Sequence, residues 1–182
     1  MPYLTNTKGF FSLPSTLRLC AGLLIALGAI DAKANVPASE RAVLDAIYSG
    51  TGGPTWTVRW GWGLPPSDYD ECSSHGVTCV TDAQGQEHVS GIDLSNNGLT
   101  GQLPPSLSGL PYLQNFVVYD NQIGGSIPTL TGLTNLQNFD VDTNQLTGPI
   151  PSLAGLASLE YFDIDDNQLT GSIPSLSGLT NL

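Results

Sequence analysis

The sequence predicts an α/β solenoid: a stack of short parallel strands joined by irregular turns, with a helical segment pinned by a disulfide ahead of it. Three observations carry that reading. Asn97, Asn121, Asn144 and Asn167 recur at spacings of 24, 23 and 23 residues. Around each of them the same residue types return in the same order, the third unit running Leu133, Leu136, Phe139, Val141, Asn144, Leu146. Ahead of that array stand one stretch of helical periodicity and one pair of cysteines.

The first element is an export signal over residues 1–34. Lys8 and Arg18 precede an apolar run from Leu19 to Ile30, and Ala32-Lys33-Ala34 is a small-x-small cleavage site that makes Asn35 the mature N-terminus. A run of 12 residues is shorter than the roughly 20 that cross a bilayer, so no stable membrane span is expected after processing. Cys20 leaves with the signal. The protein is then expected to be secreted, or to reside in the periplasm or at the cell surface, where thiols oxidise. Cys72 and Cys79, in CSSHGVTC, form the expected disulfide, worth roughly 2–3 kcal/mol for so short a loop. Zinc on the same pair is short of ligands, because only His75 and His88 stand nearby.

Residues 35–88 form the second element. Ser39 reads as the N-cap of a helix whose apolar pairs are Val43/Ile47 and Leu44/Tyr48 and whose stop is Gly50. Trp56, Trp60 and Trp62 lie between that helix and the cysteines. They read as buried filling, with an exposed platform for stacking on a sugar as the alternative.

The third element is the array, residues 89–182. One unit is too small to bury its apolar side chains, so units stack and share a continuous core. In Phe139-Asp140-Val141-Asp142 the alternation puts Phe139 and Val141 inward and the two aspartates outward. Each asparagine turns inward at the strand end, where its amide satisfies backbone groups of the turn. The second and fourth units agree, with Phe116, Val118, Asn121, Ile123 and Phe162, Ile164, Asn167, Leu169; in the first, Ile92, Leu94, Asn97 and Leu99 hold the same places.

After the asparagines come Leu99-Thr100-Gly101, Ile123-Gly124-Gly125, Leu146-Thr147-Gly148 and Leu169-Thr170-Gly171, then x-Leu/Ile-Pro as in Ser172-Ile173-Pro174. These endings resemble the plant-type leucine-rich repeat, whose units close in L-x-G-x-I-P and which builds receptor-kinase ectodomains and secreted polygalacturonase inhibitors. The resemblance spans residues 89–182 in four units. It implies a leucine-rich-repeat solenoid with a concave recognition sheet, a second short strand near each L-T-G segment, and irregular or 3₁₀ convex turns. It also implies that residues 35–88 are the N-terminal cap, Gly76-Val77-Thr78-Cys79 matching the family's G-V-x-C end. The family's tryptophan after the first cysteine is missing; Ser73, Ser74 and His75 stand there instead.

Outward strand positions are the candidate binding face: Asp93 and Ser95, Val117 and Tyr119, Asp140 and Asp142, Asp163 and Asp165. With strands about 4.8 Å apart, the last four carboxylates form a patch that repels itself, so each raises its neighbour's pKa or recruits a compensating partner. Asp120 and Asp166 extend the field, and Tyr119 is the aromatic anchor. The expected partner-binding residues are thus Tyr119, Asp120, Asp140, Asp142, Asp163 and Asp165. Asp140-x-Asp142-x-Asn144 and Asp163-x-Asp165-x-Asn167 begin like calcium loops. Gln145 and Gln168 then replace the turn glycine, and Pro151 and Pro174 the bidentate glutamate.

Charge narrows the partner. Losing Lys8, Arg18, Lys33 and Asp31 with the signal takes the formal charge from −11 to −13, and no lysine or arginine follows Val89. Nucleic acid is excluded by that lack of cations. A protein or peptide of basic character fits, and a cell-wall glycan stays open. The carboxylates recur in register with no cleft implied, and neither histidine has a nucleophile beside it, so no enzyme and no cofactor is expected. Leu182 stands where a fifth strand would begin, and no C-terminal cap is visible. The expectation is a truncated member of the family, or an open end that pairs with a second copy. Two functions compete: an exported recognition module, and a structural repeat protein that self-associates.

Overall fold

The computed structural model describes residues 36–65 and 70–182. The signal peptide expected over residues 1–34 lies outside them. No helix among the described residues is long and apolar enough to cross a membrane.

The chain opens on helix α1 (Ala38–Gly50). Its N-cap is Pro37, not Ser39, and no side chain caps it. The carbonyl of Pro37 takes the N–H groups of Glu40 and Arg41, which leaves Ser39 inside the first turn on the solvent side. Leu44 and Ile47 are buried against the first repeat, Val43 and Tyr48 pack at the margin, and the helix ends at Gly50 as the periodicity predicts. One-turn 3₁₀ helices follow at Gly53–Thr55 and Glu71–Ser73.

Strand β1 (Val77–Thr81) pairs antiparallel with β2 (Glu87–Asp93), and from β2 onward the sheet is parallel: β4 (Asn115–Val117), β6 (Asn138–Asp140) and β8 (Tyr161–Asp163) follow in spatial order. The register repeats, Asp93 beside Val117, Val117 beside Asp140, and Asp140 beside Asp163. The antiparallel hairpin is not legible in the repeat pattern, because β1 belongs to no unit. Strand β2 starts at Glu87 and so joins the hairpin and the first repeat in one element.

The secondary strands that the resemblance implies are present as β3 (Thr100–Gln102) paired with β5 (Gln122–Gly124) and β7 (Thr147–Pro149) paired with β9 (Gln168–Thr170). On the convex side the leucines make 3₁₀-type turns, the N–H groups of Leu110, Leu113, Leu133, Leu136, Leu156 and Leu159 each bonding a leucine carbonyl three residues back.

Inside, Phe116, Phe139 and Phe162 stack at centroid distances of 5.6 and 5.5 Å, one ring per unit. The asparagines form the expected ladder. Asn121 Oδ1 accepts from the N–H groups of Asn97 and Leu99, and its Nδ2 donates to the carbonyls of Leu94, Val118 and Tyr119. Asn144 and Asn167 repeat the arrangement one unit on. Asn97 has no earlier repeat to bond, and its amide pairs with both backbone groups of Val58 instead. The residue before each asparagine, Asn96, Asp120, Thr143 or Asp166, has a left-handed backbone with φ between 46° and 53°. That corner is what turns the amide inward, and for β-branched Thr143 it is a strained one.

Candidate binding face

The outward positions of the parallel strands form two columns of a concave face, Gly91, Asn115, Asn138 and Tyr161, then Asp93, Val117, Asp140 and Asp163, and a third column of Ser95, Tyr119, Asp142 and Asp165 continues it just beyond the strand ends, where the backbone bonds from unit to unit go on. The ranks follow from the pleat, since Phe116, Phe139 and Val141 between them are fully buried. Tyr119, two residues past the end of β4, is 40 % exposed.

The acidic residues do come together. Asp140 is half-buried, and burial among its neighbours pushes its carboxyl above the usual range; Asp163, Asp142 and Asp93 push the same way, against a hydrogen bond from the Asp142 N–H. Burial therefore outweighs the mutual repulsion that the sequence suggests. The aspartates also bind their own backbone: Asp93, Asp140 and Asp163 each accept the N–H two residues on, which fixes their rotamers. Asp120 differs from the rest, because its left-handed backbone makes it a corner of the asparagine turn as well as a surface charge.

Tyr161 is a member of the face that sequence reasoning missed. It is 49 % exposed, and its hydroxyl donates to Asp163 Oδ2 at 2.7 Å, which with neighbouring charge pushes its pKa up to about 12. The signal was present in the period: Tyr161 stands 23 residues after Asn138, at the first outward position.

Toward β1 the face changes character. Gly76, Thr78, Gly91, Asp93, Asn115, Val117 and Asn138 line a shallow depression of about 300 Å³. Asn138 Oδ1 is buried with no hydrogen-bond partner among the described residues.

The segment ahead of the array is built from single contacts. Trp56 and Trp62 are buried against Tyr48, their indole N–H groups donating to the carbonyls of Thr51 and His75. Trp60 corrects the expectation of three buried indoles: it is 61 % exposed, tilted over His75 at 5.9 Å, because Trp56 and Trp62 already fill the space beside Tyr48. Cys72 and Cys79 form the disulfide.

Two buried ionic contacts were not legible in sequence. Glu40, 1 % exposed, accepts His88 Nδ1 at 2.6 Å and the Val89 N–H at 2.7 Å, while Asp82 reaches His88 Nε2 at 3.2 Å. Burial alone would lower the His88 pKa, but the two carboxylates outweigh it and hold it above its ordinary value. Tyr112 stacks on the same ring at 4.0 Å. Arg41 pairs with buried Glu71.

The Leucine Rich Repeat family model matches residues 88–110 and 158–179. No curated protein matches the chain by sequence. Among solved structures, the chain is similar to one in the BIR3–SERK2 complex from Arabidopsis thaliana, at 30% identity and a TM-score of 0.64 over 78% of this chain and 77% of that one. It is also similar to the BIR2 ectodomain of the same plant, at 28% identity and a TM-score of 0.67 over 81% and 77%. The Arabidopsis receptor kinase HAESA, in complex with the peptide hormone IDA and the co-receptor SERK1, gives 29% identity and a TM-score of 0.60 over 76% of this chain but 23% of the other.

Proposed function

The chain belongs to the plant-type leucine-rich-repeat family, and from that premise we propose that it is an exported recognition module whose concave face binds a protein or peptide of basic character. The observation that carries the reading is the composition of that face: Asp140, Asp142, Asp163 and Asp165 beside exposed Tyr119 and Tyr161, with no lysine or arginine anywhere after Val89 to neutralise them. Burying part of that charge is unfavourable in the free protein, and a cationic partner relieves it. Complexes with a co-receptor and with a peptide hormone among the similar structures support a macromolecular partner. The same reading takes residues 1–34 as the export signal, 35–88 as the cap and 89–182 as the recognition array.

The test is capture from culture or host extract with the exported protein, whose mass reports whether it begins at Asn35. A variant with Asp140, Asp142, Asp163 and Asp165 changed to asparagine is run beside it. Loss of the captured partner in the variant is the expected result; equal capture by both sinks the reading. A second reading, self-association, draws on one observation, an apolar groove of about 260 Å³ lined by Phe162, Ile164, Ile173, Leu176 and Leu182 among others. A mass that stays monomeric at every concentration removes it.

A further inference from the structure

Three side chains ahead of the array are left unused by the fold, and they stand on one turn and the segment packed against it. Trp60 is 61 % exposed, whereas Trp56 and Trp62 are buried. The half-buried ring of His75 lies 5.9 Å from the Trp60 indole, and neither of its nitrogens bonds another described residue. Arg59 directly precedes Trp60. The described residues include two lysines or arginines in all, Arg41 and Arg59; Arg41 pairs with buried Glu71, and Arg59 has no partner among the described residues. The one unpaired cation of an acidic chain thus adjoins its most exposed indole.

The backbone beneath these groups is clamped on both sides. Asn97 holds both backbone groups of Val58. The Trp62 N–H closes the turn on the Arg59 carbonyl at 3.0 Å, and the Trp60 carbonyl accepts the His75 N–H at 3.1 Å. The Gly61 carbonyl accepts the Ser74 hydroxyl at 3.1 Å, so close an approach that a Cβ on Gly61 would stand 2.7 Å from the Ser74 Cα. The Cys72–Cys79 disulfide fixes the segment that carries His75. Side chains on such a backbone are presented without the ordering cost that a mobile loop incurs on binding.

We propose that Arg59, Trp60 and His75 form a second binding site, outside the columns of the concave face, for a hexuronate residue of an acidic glycan. The three groups make different demands, and one uronate meets them all. The indole face carries the negative part of the ring quadrupole and takes the C–H-lined face of a pyranose. The guanidinium is a planar fork matched to a carboxylate. The imidazole supplies a donor or an acceptor for a ring hydroxyl. A neutral sugar leaves the guanidinium unanswered, and an aspartate or glutamate side chain brings no ring for the indole. Charge narrows the glycan further. One cation serves one carboxylate, and the chain as a whole carries −11, so uronates spaced by neutral sugars fit where a continuous polyuronate is repelled.

The experiment is an NMR titration of the isotopically labelled, exported protein with methyl β-D-glucuronoside, read at the Trp60 indole N–H and at the Gly61 and His75 amides. Methyl β-D-glucoside and N-acetyl-aspartate amide are the comparison ligands. A saturable shift with the glucuronoside is expected, and the glucoside should bind about tenfold more weakly, the worth of one charge-assisted pair. Arg59→Gln should bring the glucuronoside down to the affinity of the glucoside and leave the glucoside unchanged, a split that general loosening of the turn would not give. Trp60→Ala should abolish binding of both sugars at an unchanged Tm, because the indole is exposed, and Trp60→Phe should restore part of it. The variant with Asp140, Asp142, Asp163 and Asp165 changed to asparagine should bind the glucuronoside as the parent does.

No saturable shift with the glucuronoside, equal binding of the two sugars, or unchanged binding by Trp60→Ala overturns the site. N-acetyl-aspartate amide binding as tightly as the glucuronoside makes the surface a protein contact and overturns the glycan. Loss of the glucuronoside in the fourfold aspartate variant moves the binding to the concave face and overturns the site as well. Each result is read without the captured partner, so failure here leaves the concave-face reading to its own test.

Discussion

Among the described residues of 36–88 two carboxylates are buried, Glu40 and Glu71, and each has a basic partner. Residues 89–182 carry eight acidic side chains, bury none of them completely, and supply no lysine or arginine. The difference shows two ways of holding one apolar stack. In the array each stabilising contact recurs: a phenylalanine on a phenylalanine, an asparagine amide on the preceding turn. Ahead of it each contact is made once, by residues that no period predicts. Charge in the first region is part of the architecture, and charge in the second is free to serve a partner.

Breaking the shared stack should have the largest effect. Phe139→Ala removes the central ring of three and should destabilise the protein by about 3–5 kcal/mol, read from denaturant midpoints at unchanged m. A loss under about 1 kcal/mol would mean that the units stand without their ring stack.

Next comes the disulfide. Changing Cys72 and Cys79 to alanine should cost about 2–3 kcal/mol, the entropy of the short closed loop. Hydrogen exchange should rise around β1 more than around β6 and β8, because the constraint acts on single contacts at one end; uniform acceleration would mean that the two regions open as one unit.

The Glu40–His88 contact predicts a pH dependence. A histidine whose folded pKa lies above its unfolded one binds its proton more tightly when folded. Its contribution is therefore full below about 6.5 and is lost as pH rises through the raised folded value. Melting temperature should fall across that window. Glu40→Gln should flatten the fall and cost about 1–2 kcal/mol at pH 6; a fall of the same steepness in the variant would assign it to other groups.

Smallest, and opposite in sign, is Asp140→Asn. The folded pKa of Asp140 is raised, so its contribution is favourable only while it is protonated, below about 3.9, and disappears as pH climbs through the folded value. At neutral pH the charge is a burden, and the amide should stabilise by about 0.2–1 kcal/mol while weakening capture of the partner. Loss of stability instead would show the aspartate to be structural, like Glu40.

Much of the concave face was legible. Alternation around Phe139 and Val141 assigns Asp140 and Asp142 to the outside, and the 23-residue period carries the assignment to Asp163 and Asp165. Tyr161 follows from the same period. Asp120 was legible as a charge but not as a left-handed corner. Trp60 and Ser39 could not be placed, since exposure of one indole among three depends on which two fit beside Tyr48, and a cap depends on how the chain enters the helix.

By itself, the sequence determined the number and order of the units, the inward leucines, phenylalanines and asparagines, and the sign of the outward charge. These follow from periodicity, which acts over a few residues and repeats. Only the tertiary structure decided that Glu40 meets His88 across 48 positions, that Asn97 closes on Val58, and that Gly76 meets the Asp93 carbonyl and Gly91 meets Thr78 too closely for any side chain. Those contacts join residues distant in the chain and occur once each. No local pattern encodes them, and they appear when the stack brings the two segments side by side.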